Sequence, residues 1–151
     1  VDAVYTGGPL TVAVAFDSTP TSVSNVGGSA TGKTTAWKVE GGYDLGVASV
    51  HAALIGANLS GTPFGSDKDN GYALSVKVPA GKWTMSAGFG SVSTSGDDLN
   101  QKTTAMGVQG LYAFNGNFTG YVGYRTYTTT QDVGGAETKN TKLGMGLTFS
   151  Y

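Results

Sequence analysis

The sequence contains no cysteine, so disulfides, thiolate metal sites and cysteine nucleophiles are all excluded. Charged residues make up 13% of the chain, about half of the share that is usual in soluble domains. The formal net charge of −1 provides no basic surface for nucleic acid. No apolar run approaches the ~20 residues of a membrane-spanning helix, which excludes a helical span. Glycine is abundant, at 25 of 151 residues, and with 11% aromatic residues this composition suits a transmembrane barrel better than a soluble globule.

The segment from Asn140 to Tyr151 carries the clearest pattern in the chain. Its apolar residues are Leu143, Met145, Leu147, Phe149 and Tyr151, and they alternate with Lys142, Gly144, Gly146, Thr148 and Ser150. A period of two places the two sets on opposite faces of a β-strand. An apolar stripe that ends on an aromatic ring is typical of a strand that faces lipid and has its last ring at the membrane–water interface. The segment therefore predicts an outer-membrane β-barrel.

The same alternation recurs along the whole chain and predicts eight full strands of ~9–11 residues, the length of a tilted membrane-crossing strand. Residues 1–6 alternate in the same way and are interpreted as the second half of a further strand. The predicted fold class is thus all-β, an antiparallel transmembrane β-barrel of eight full strands plus a partial first strand. Besides those of the last strand, the side chains expected to face lipid include Leu10, Val12, Val14, Phe16, Trp37, Val39, Tyr43, Val50, Leu54, Tyr72, Leu74, Val76, Val78, Trp83, Met85, Phe89, Met106, Val108, Tyr112, Val122 and Tyr124.

Short turns alternate with longer polar segments, as in bacterial outer-membrane barrels, where the short turns are periplasmic and the long loops external. The short turns are expected at 7–9, 44–46, 79–81 and 114–116, and the long loops at 18–33, 58–70, 92–102 and 128–139. Proline has no N–H and cannot donate a hydrogen bond to a neighbouring strand. The four prolines are therefore expected in these connections, at Pro9, Pro20, Pro63 and Pro79. Aromatic residues are expected in two girdles, with Tyr43, Trp83, Tyr112, Phe118 and Tyr151 beside the short turns and Phe16, Trp37, Tyr72 and Phe89 toward the long loops.

Three segments, Tyr5–Val12, Ala36–Gly46 and Gly144–Phe149 (YTGGPLTV, AWKVEGGYDLG and GMGLTF), resemble the general porins of Gram-negative bacteria, in particular the β-proteobacterial type. The resemblance extends over nearly the whole chain. It implies a trimeric, 16-stranded pore in the outer membrane, of which residues 1–151 form one domain, about the C-terminal half of the barrel wall. Such porins usually end in phenylalanine, and Tyr151 departs from that while keeping an aromatic ring. The loop that narrows the pore in this family belongs to the N-terminal half, so the resemblance places it outside this sequence.

Eight strands can also close a small barrel by themselves, and the alternative function is a structural or adhesive role through its outer loops. The face opposite the apolar stripes is rich in Ala, Gly, Ser and Thr. In a narrow barrel these small residues would leave voids and poorly partnered charges, whereas a water-filled lumen solvates the same wall. The wide pore is therefore favoured. A soluble β-sandwich that binds a ligand is a third class, and the two aromatic girdles disfavour it.

Three motifs were candidates for other chemistry. Residues 27–34 match the phosphate-binding pattern G-x-x-x-x-G-K-[ST], but a strand-forming segment follows where phosphate binding needs a helix. Residues 67–71 resemble a calcium loop in which glycine comes one place early and the closing glutamate is missing. His51 is the only histidine, and no carboxylate or serine stands at a catalytic spacing from it. The chain is accordingly predicted not to be an enzyme, with no catalytic, cofactor-binding or metal-binding residue, and adventitious cation binding at 67–71 stays open.

Polar side chains on the face opposite the lipid are the candidate functional residues. The predicted pore-lining residues are Lys38, Glu40, His51, Lys77, Gln109, Arg125 and Lys142. With Asp17 they provide four basic groups against two acidic ones, which predicts either simple solvation of a wet wall or a weak anion preference. The predicted function is passive diffusion of small hydrophilic solutes and ions through an outer-membrane channel. The expected partners are outer-membrane lipid, these solutes and two further copies in a homotrimer, with no nucleic acid among them. The rest of the barrel is expected either from the same polypeptide, of which this chain is then a fragment, or from a companion N-terminal chain.

Overall fold

The computed structural model describes residues 1–25, 28–62, 65–96, 100–132 and 134–149. These residues form nine β-strands, and none of them belongs to a helix of the length and apolarity needed to cross a membrane. The strands are β1 (Asp2–Gly7), β2 (Leu10–Asn25), β3 (Gly28–Asp44), β4 (Ser49–Thr62), β5 (Gly65–Ala80), β6 (Trp83–Gly96), β7 (Asn100–Asn115), β8 (Phe118–Gln131) and β9 (Glu137–Phe149). The predicted architecture of one partial strand followed by eight full strands is confirmed.

The nine strands form one sheet in which each strand pairs with its neighbours in the chain, in the order β1 to β9. All eight pairings are antiparallel. Tight turns connect the strands at one end of the sheet, and Gly81 between β5 and β6 has a φ of 62°, a left-handed conformation that glycine adopts without steric cost. The described strands do not close into a ring, because β1 pairs only with β2 and β9 only with β8.

Most of the large apolar side chains share one face of the sheet. Cross-strand partners in an antiparallel pair point to the same side, so the register identifies each surface. Val39, for example, lies between Val14 on β2 and Leu54 on β4. The same relation holds from β1 to β9, which confirms that the predicted lipid-facing sets form one continuous surface, called here the apolar band.

The apolar band has no protein layer packed against it. The described residues include no buried apolar side chain, and Leu143, Met145 and Leu147 of β9 are 68%, 73% and 65% exposed. Each Å² of apolar surface left in water forgoes about 25 cal/mol of burial free energy. A sheet with this surface therefore requires a nonaqueous surrounding, which the hydrocarbon of a bilayer provides.

The strands are longer than predicted, and the expected long loops are largely strand. β2 continues to Asn25 and β3 begins at Gly28, so together they occupy most of the expected loop 18–33. β5 begins at Gly65, inside the expected loop 58–70. The loop boundaries were wrong because Thr and Ser are compatible with a paired strand that stands in water on both faces, so the ladder continues past the apolar band. The expected loops 92–102 and 128–139 are shortened in the same way by β6–β7 and β8–β9.

Two prolines, Pro20 in β2 and Pro79 in β5, lie inside strands, contrary to the prediction. The backbone N–H and C=O of Phe16 both bond to Val1, on the β1 side of β2. Residues two apart share an edge, so the nitrogen of Pro20 points to that same edge, beyond the end of β1. Pro79 lies past the last β5 residue that pairs with β4. At both positions the proline nitrogen faces an edge that has no paired strand in the described sheet. The missing N–H therefore removes no hydrogen bond between strands. Pro63 lies outside the described residues.

Aromatic rings are concentrated near the short turns, as predicted. A chain of ring contacts, with centroid separations of 4.9, 4.9 and 5.4 Å, joins Trp83, Tyr112, Phe114 and Phe118. Toward the other end of the strands, the rings of Tyr72 and Phe89 lie 6.0 Å apart. Rings at both borders of the apolar band suit the two interfaces of a bilayer. Tyr151, predicted for the first girdle, lies outside the described residues.

Candidate functional site

All seven predicted pore-lining residues lie on the face opposite the apolar band, called here the polar face. One cross-strand partner of each is Ala15 for Lys38, Ala13 for Glu40, Gly42 for His51, Ser49 for Lys77, Ser86 for Gln109, Gly107 for Arg125, and Arg125 for Lys142, and the second partner of Lys38 is Ile55. Nearly all of these partners are small. The long polar side chains can therefore extend from the sheet and present charge to water at separate points along the wall.

Lys38 and Glu40 form an ion pair on β3. The Nζ atom of Lys38 lies 2.6 Å from Oε2 of Glu40, and the two side chains are 46% and 44% exposed. Residues two apart on a strand point to the same side, which is why the pair forms without a turn or a bulge. An ion pair this exposed contributes about 0–1 kcal/mol to stability. Its main effect is that the charge of Lys38 is compensated locally.

Arg125 and Lys142 bring two cations together. They are cross-strand partners on β8 and β9, and the other neighbour of Arg125 in the register is Gly107. The guanidinium carbon of Arg125 lies 4.8 Å from the ring centroid of Tyr127, close enough for a cation–π contact. Like charges on opposite positions of a sheet repel each other and attract anions from solution. This pair is the strongest concentration of positive charge on the polar face.

His51 lies against Gly42 on the adjacent strand. A Cβ atom at Gly42 would lie 2.7 Å from Nδ1 of His51, so only glycine leaves room for the imidazole in this position. The next residue of the same register row is Ser75 on β5. Along this row the described strands supply no carboxylate to orient the imidazole, as a catalytic triad requires. The geometry is that of a polar wall residue whose placement depends on a glycine.

The polar face carries more carboxylates than the two predicted from the sequence. The register adds Asp2, Asp44, Asp67 and Asp69, opposite Ala15, Ser49, Gly96 and Ala57 respectively. Together with Asp17 and Glu40, the described residues place six acidic groups on this face against four basic ones, so the predicted excess of basic groups is wrong. Asp67 and Asp69 were missed because they lie in the expected loop 58–70. Continuing the period of two upstream from Tyr72 would have placed both of them.

The charges of the polar face are unevenly distributed. All six carboxylates lie on β1, β2, β3 and β5. Across β6–β9, Arg125 and Lys142 are the only charged residues that the described strands place on this face. The part of the polar face formed by β1–β5 therefore has a net negative charge, and the part formed by β6–β9 has a net positive charge.

The two ligand-binding motifs lie in strands. Residues 28–34 belong to β3, so a strand follows the phosphate-binding pattern, as predicted, and Gly27 lies outside the described residues. Residues 67–71 belong to β5, where alternation separates Asp67 and Asp69 from Lys68 and Asn70 onto opposite faces. The expected outer loop at 67–71 is therefore wrong, and the strand does not wrap a cation. Within the described ranges, no group of three or more His, Cys, Asp or Glu side chains is placed to hold a metal ion.

Comparison with known proteins gives one family and a set of related folds. A family model described as Gram-negative porin matches residues 1–148. The chain is similar in structure to OmpT, an outer membrane protein of Vibrio cholerae, at 18% sequence identity and a TM-score of 0.79, covering 98% of this chain and 53% of that one. It is also similar to an anion-selective porin from Comamonas acidovorans, at 14% identity and a TM-score of 0.76, covering 97% of this chain and 47% of that one. No curated protein matches.

The chain thus spans about half the length of the solved structures that it resembles. Its sheet has the fold of these outer-membrane barrels, with an apolar band on one face and a polar face on the other. The resemblance to Gram-negative porins is confirmed, and so is the location in the outer membrane of a Gram-negative bacterium. Since the family model matches nearly its whole length, the chain belongs to the Gram-negative porin family.

Proposed function

We propose that the chain forms part of the wall of a water-filled channel, through which small hydrophilic solutes and ions diffuse passively across the outer membrane without catalysis or a cofactor. The observation that carries this proposal is the two-faced, single-layer sheet. Its apolar band is exposed on one side, and its polar face presents mainly small, polar and charged side chains on the other. Lipid stabilises the first surface, and water solvates the second.

We further propose that residues 1–151 are about the C-terminal half of a 16-stranded barrel. The support is the coverage of 53% and 47% of the two solved chains, together with the outer edges of β1 and β9, which have no partner among the described strands. An unpaired edge in a bilayer leaves backbone N–H and C=O groups without hydrogen bonds, so further strands must complete the ring. These strands come from the same polypeptide or from a companion N-terminal chain.

The proposed assembly is a homotrimer. One solved structure of Vibrio cholerae OmpT is described as a trimer form, and it shares the fold of this chain at a TM-score of 0.77. A trimer also covers part of each apolar band with protein instead of lipid. Crosslinking of the protein in isolated outer membranes, followed by mass determination, tests this assembly.

A closed barrel of β2–β9 with an adhesive or structural role is the alternative. In such a barrel β9 would have to pair along β2, but residues 10–15 of β2 already pair with β1. The polar face also carries glycines at Gly88, Gly107 and Gly123, where a closed eight-stranded barrel needs side chains to fill its interior. Both observations favour the wide channel.

A weak anion preference is the last part of the proposal; it rests on Arg125 and Lys142 alone and acts against the excess of two acidic groups on the described polar face as a whole. Lys38 is compensated by Glu40, whereas the Arg125–Lys142 pair has no carboxylate beside it on β7, β8 or β9. The porin from Comamonas acidovorans with the same fold is described as anion-selective. The field of a wall charge decays over ~8 Å at physiological salt, so the preference is strongest at low salt.

Conductance in planar lipid bilayers tests the channel. The protein is extracted from outer membranes in detergent, and a change of gel mobility on heating verifies that it is folded. Folded protein should give stepwise conductance, and folded protein without steps would contradict the proposal and favour the closed barrel. The intact mass of the natural polypeptide tests the half-barrel. A mass near twice 15.3 kDa supports a single-chain barrel, and a mass near 15.3 kDa requires a companion chain.

A further inference from the structure

A depression of about 500 Å³ lies on the polar face where β7, β8 and β9 run side by side. Its floor consists of one glycine from each strand, Gly107, Gly123 and Gly144, and is called here the glycine floor. Gly123 and Gly144 are cross-strand partners, and Gly107 lies in the next row of the register, opposite Arg125. Pockets that bind small molecules have volumes of about 300–1,000 Å³. The depression is therefore large enough for one small solute.

The backbone does not require glycine at the centre of this floor. A Cβ atom added at Gly144 would meet no heavy atom within 4 Å, and one added at Gly123 would meet its nearest neighbour at 3.5 Å. Neither residue has a positive φ. Both positions would accept a side chain without a clash. The space above the glycine floor is therefore open because of the residues that stand there, and a substitution can fill it without disturbing the sheet.

Two cations form one wall of the depression. Arg125 and Lys142 are cross-strand partners and stand two residues along their strands from Gly123 and Gly144. The stem of Arg125 lies against Gly107, where an added Cβ would be 3.5 Å from the Cβ and Cγ atoms of the arginine. Neither cation forms an ion pair within the described part of the chain. Because adjacent like charges repel each other, a dianion compensates this pair better than a monoanion does.

An amide and an aromatic ring complete the lining. Gln109 is the cross-strand partner of Gly123 on β7, so its amide stands beside the glycine floor and can donate and accept hydrogen bonds. Tyr121 borders the opposite end, four residues from Arg125, which is about 13 Å along a strand. Its ring lies over Gly146, where an added Cβ would be 2.6 Å from the phenol oxygen. The depression thus has cations at one end, a ring at the other and an amide between them.

We propose that this depression binds a phosphorylated monosaccharide, with its phosphate at Arg125 and Lys142 and its sugar ring over the glycine floor. A phosphate monoester carries a charge of about −1.5 to −2 at pH 7 and three acceptor oxygens. This charge matches two neighbouring cations, and the guanidinium fork binds two of the oxygens. The sugar hydroxyl groups bond to the amide of Gln109, and the C–H face of the ring packs against Tyr121.

The inference rests on the proposed function, because a solute reaches the depression only if the polar face lines a water-filled channel. It adds a solute class to the weak anion preference. An inorganic anion contacts only the cationic wall, and a neutral sugar contacts only the amide and the ring. A phosphorylated sugar contacts all three at once. Binding is measured without conduction, so a failure of the site and a failure of the channel give different results.

Equilibrium dialysis of the folded protein in a neutral detergent against radiolabelled glucose 6-phosphate tests the proposal. Glucose and inorganic phosphate are the comparison solutes, and each should bind at least about tenfold more weakly, since each lacks one set of hydrogen bonds. Replacing Arg125 and Lys142 together by Gln should weaken the binding of glucose 6-phosphate at least about tenfold, the usual contribution of a charge-assisted hydrogen bond. Gln109→Ala should weaken it about fivefold, the usual contribution of a neutral one.

A filling variant tests the glycine floor itself. Gly144→Val places a side chain in the open space above the floor and should weaken the binding of glucose 6-phosphate at least about tenfold by exclusion of the sugar ring. Two matched controls make the same changes on the polar face of β5, three strands from β8. They are Ala73→Val, which adds a valine, and Lys77→Gln, which removes a lysine. Both should keep the affinity within about twofold. A change of gel mobility on heating verifies that each variant is folded.

Each outcome decides the proposal. It is supported when the folded protein retains glucose 6-phosphate, the site variants lose it and the two controls keep it. It is overturned when the folded protein does not retain glucose 6-phosphate, or when a control loses as much as the site variants. Equal binding of inorganic phosphate, which indicates an anion on the cation pair alone, also overturns it, and so does equal binding of glucose.

Conductance in planar bilayers separates the site from the channel. Folded protein that conducts but does not retain glucose 6-phosphate refutes the site and leaves the channel in place. Folded protein that retains the sugar phosphate by these criteria without conducting supports the site and contradicts the channel. Should Gly144→Val fail to fold, Gly144→Ala and Gln109→Ala decide by the same criteria.

Discussion

Replacement of Leu74 by lysine should destabilise the folded protein in lipid by about 2–4 kcal/mol, the cost of a cation near the midplane of an outer-membrane barrel. Leu74 lies in the apolar band between Ala52 and Phe89, and its side chain is 55% exposed. It stands six residues from Lys68 and four from Val78. At the usual rise and tilt these separations are about 15 Å and about 10 Å along the membrane normal, so Leu74 is close to the middle of the hydrocarbon.

Equilibrium unfolding by guanidinium in lipid vesicles measures this cost. Two control variants distinguish the effect of membrane depth on stability from the effect of the added charge. Ser75→Lys adds the same charge to the polar face on the next residue, where water solvates it, and should cost less than ~1 kcal/mol. Val78→Lys adds it at the border of the band and should cost about 0–1 kcal/mol. Equal destabilisation by Leu74→Lys and Ser75→Lys would refute the assignment of the two faces. Equal destabilisation by Leu74→Lys and Val78→Lys would indicate a protein core instead of lipid.

Three further predictions concern the polar face and the aromatic girdle. Replacing Arg125 and Lys142 together by Gln should shift the zero-current potential in a salt gradient toward cation preference, and an unchanged potential would assign selectivity to another part of the channel. A double-mutant cycle on Lys38 and Glu40 should give a coupling of less than ~1 kcal/mol in unfolding experiments, because the pair is half exposed; a coupling of several kcal/mol would contradict this. Trp83→Ala should cost about 0.5–1.5 kcal/mol, since the ring is 45% exposed and the substitution mainly removes its contact with the neighbouring girdle ring, and an unchanged stability would mean that the girdle does not anchor the wall.

The two faces of the sheet could be predicted from the sequence because alternation is a local property. Once a paired segment contains no bulge, residues i and i+2 must share a face, and Leu143, Met145 and Leu147 show this over the last strand. The identity of the polar-face residues follows from the same rule. Neither result depends on how the strands are arranged relative to one another, so a single sequence is sufficient.

The ends of the strands could not be predicted, because nothing in the sequence marks where the membrane ends and the ladder continues. Beyond Phe16, strand β2 carries Ser18 and Thr19, which serve equally well in a loop or in a hairpin with water on both sides. The wrong loop bounds also affected the candidate site, since Asp67 and Asp69 lie in a segment expected to be a loop. The positions of Pro20 and Pro79 were wrong for the same reason, because β2 and β5 continue into segments expected to be connections.

The strict neighbour-to-neighbour order of the strands has a consequence for how such a wall is made. Among the described strands no pairing joins distant parts of the chain, and the register partners farthest apart in sequence are Leu10 and Tyr43, in adjacent strands. Each new strand needs only the one before it as a template, so loop-closure entropy is small at every step. The wall can therefore grow by one hairpin at a time, with each edge protected by the next strand. By the same logic, duplication of a hairpin enlarges the circumference without disturbing any existing pair.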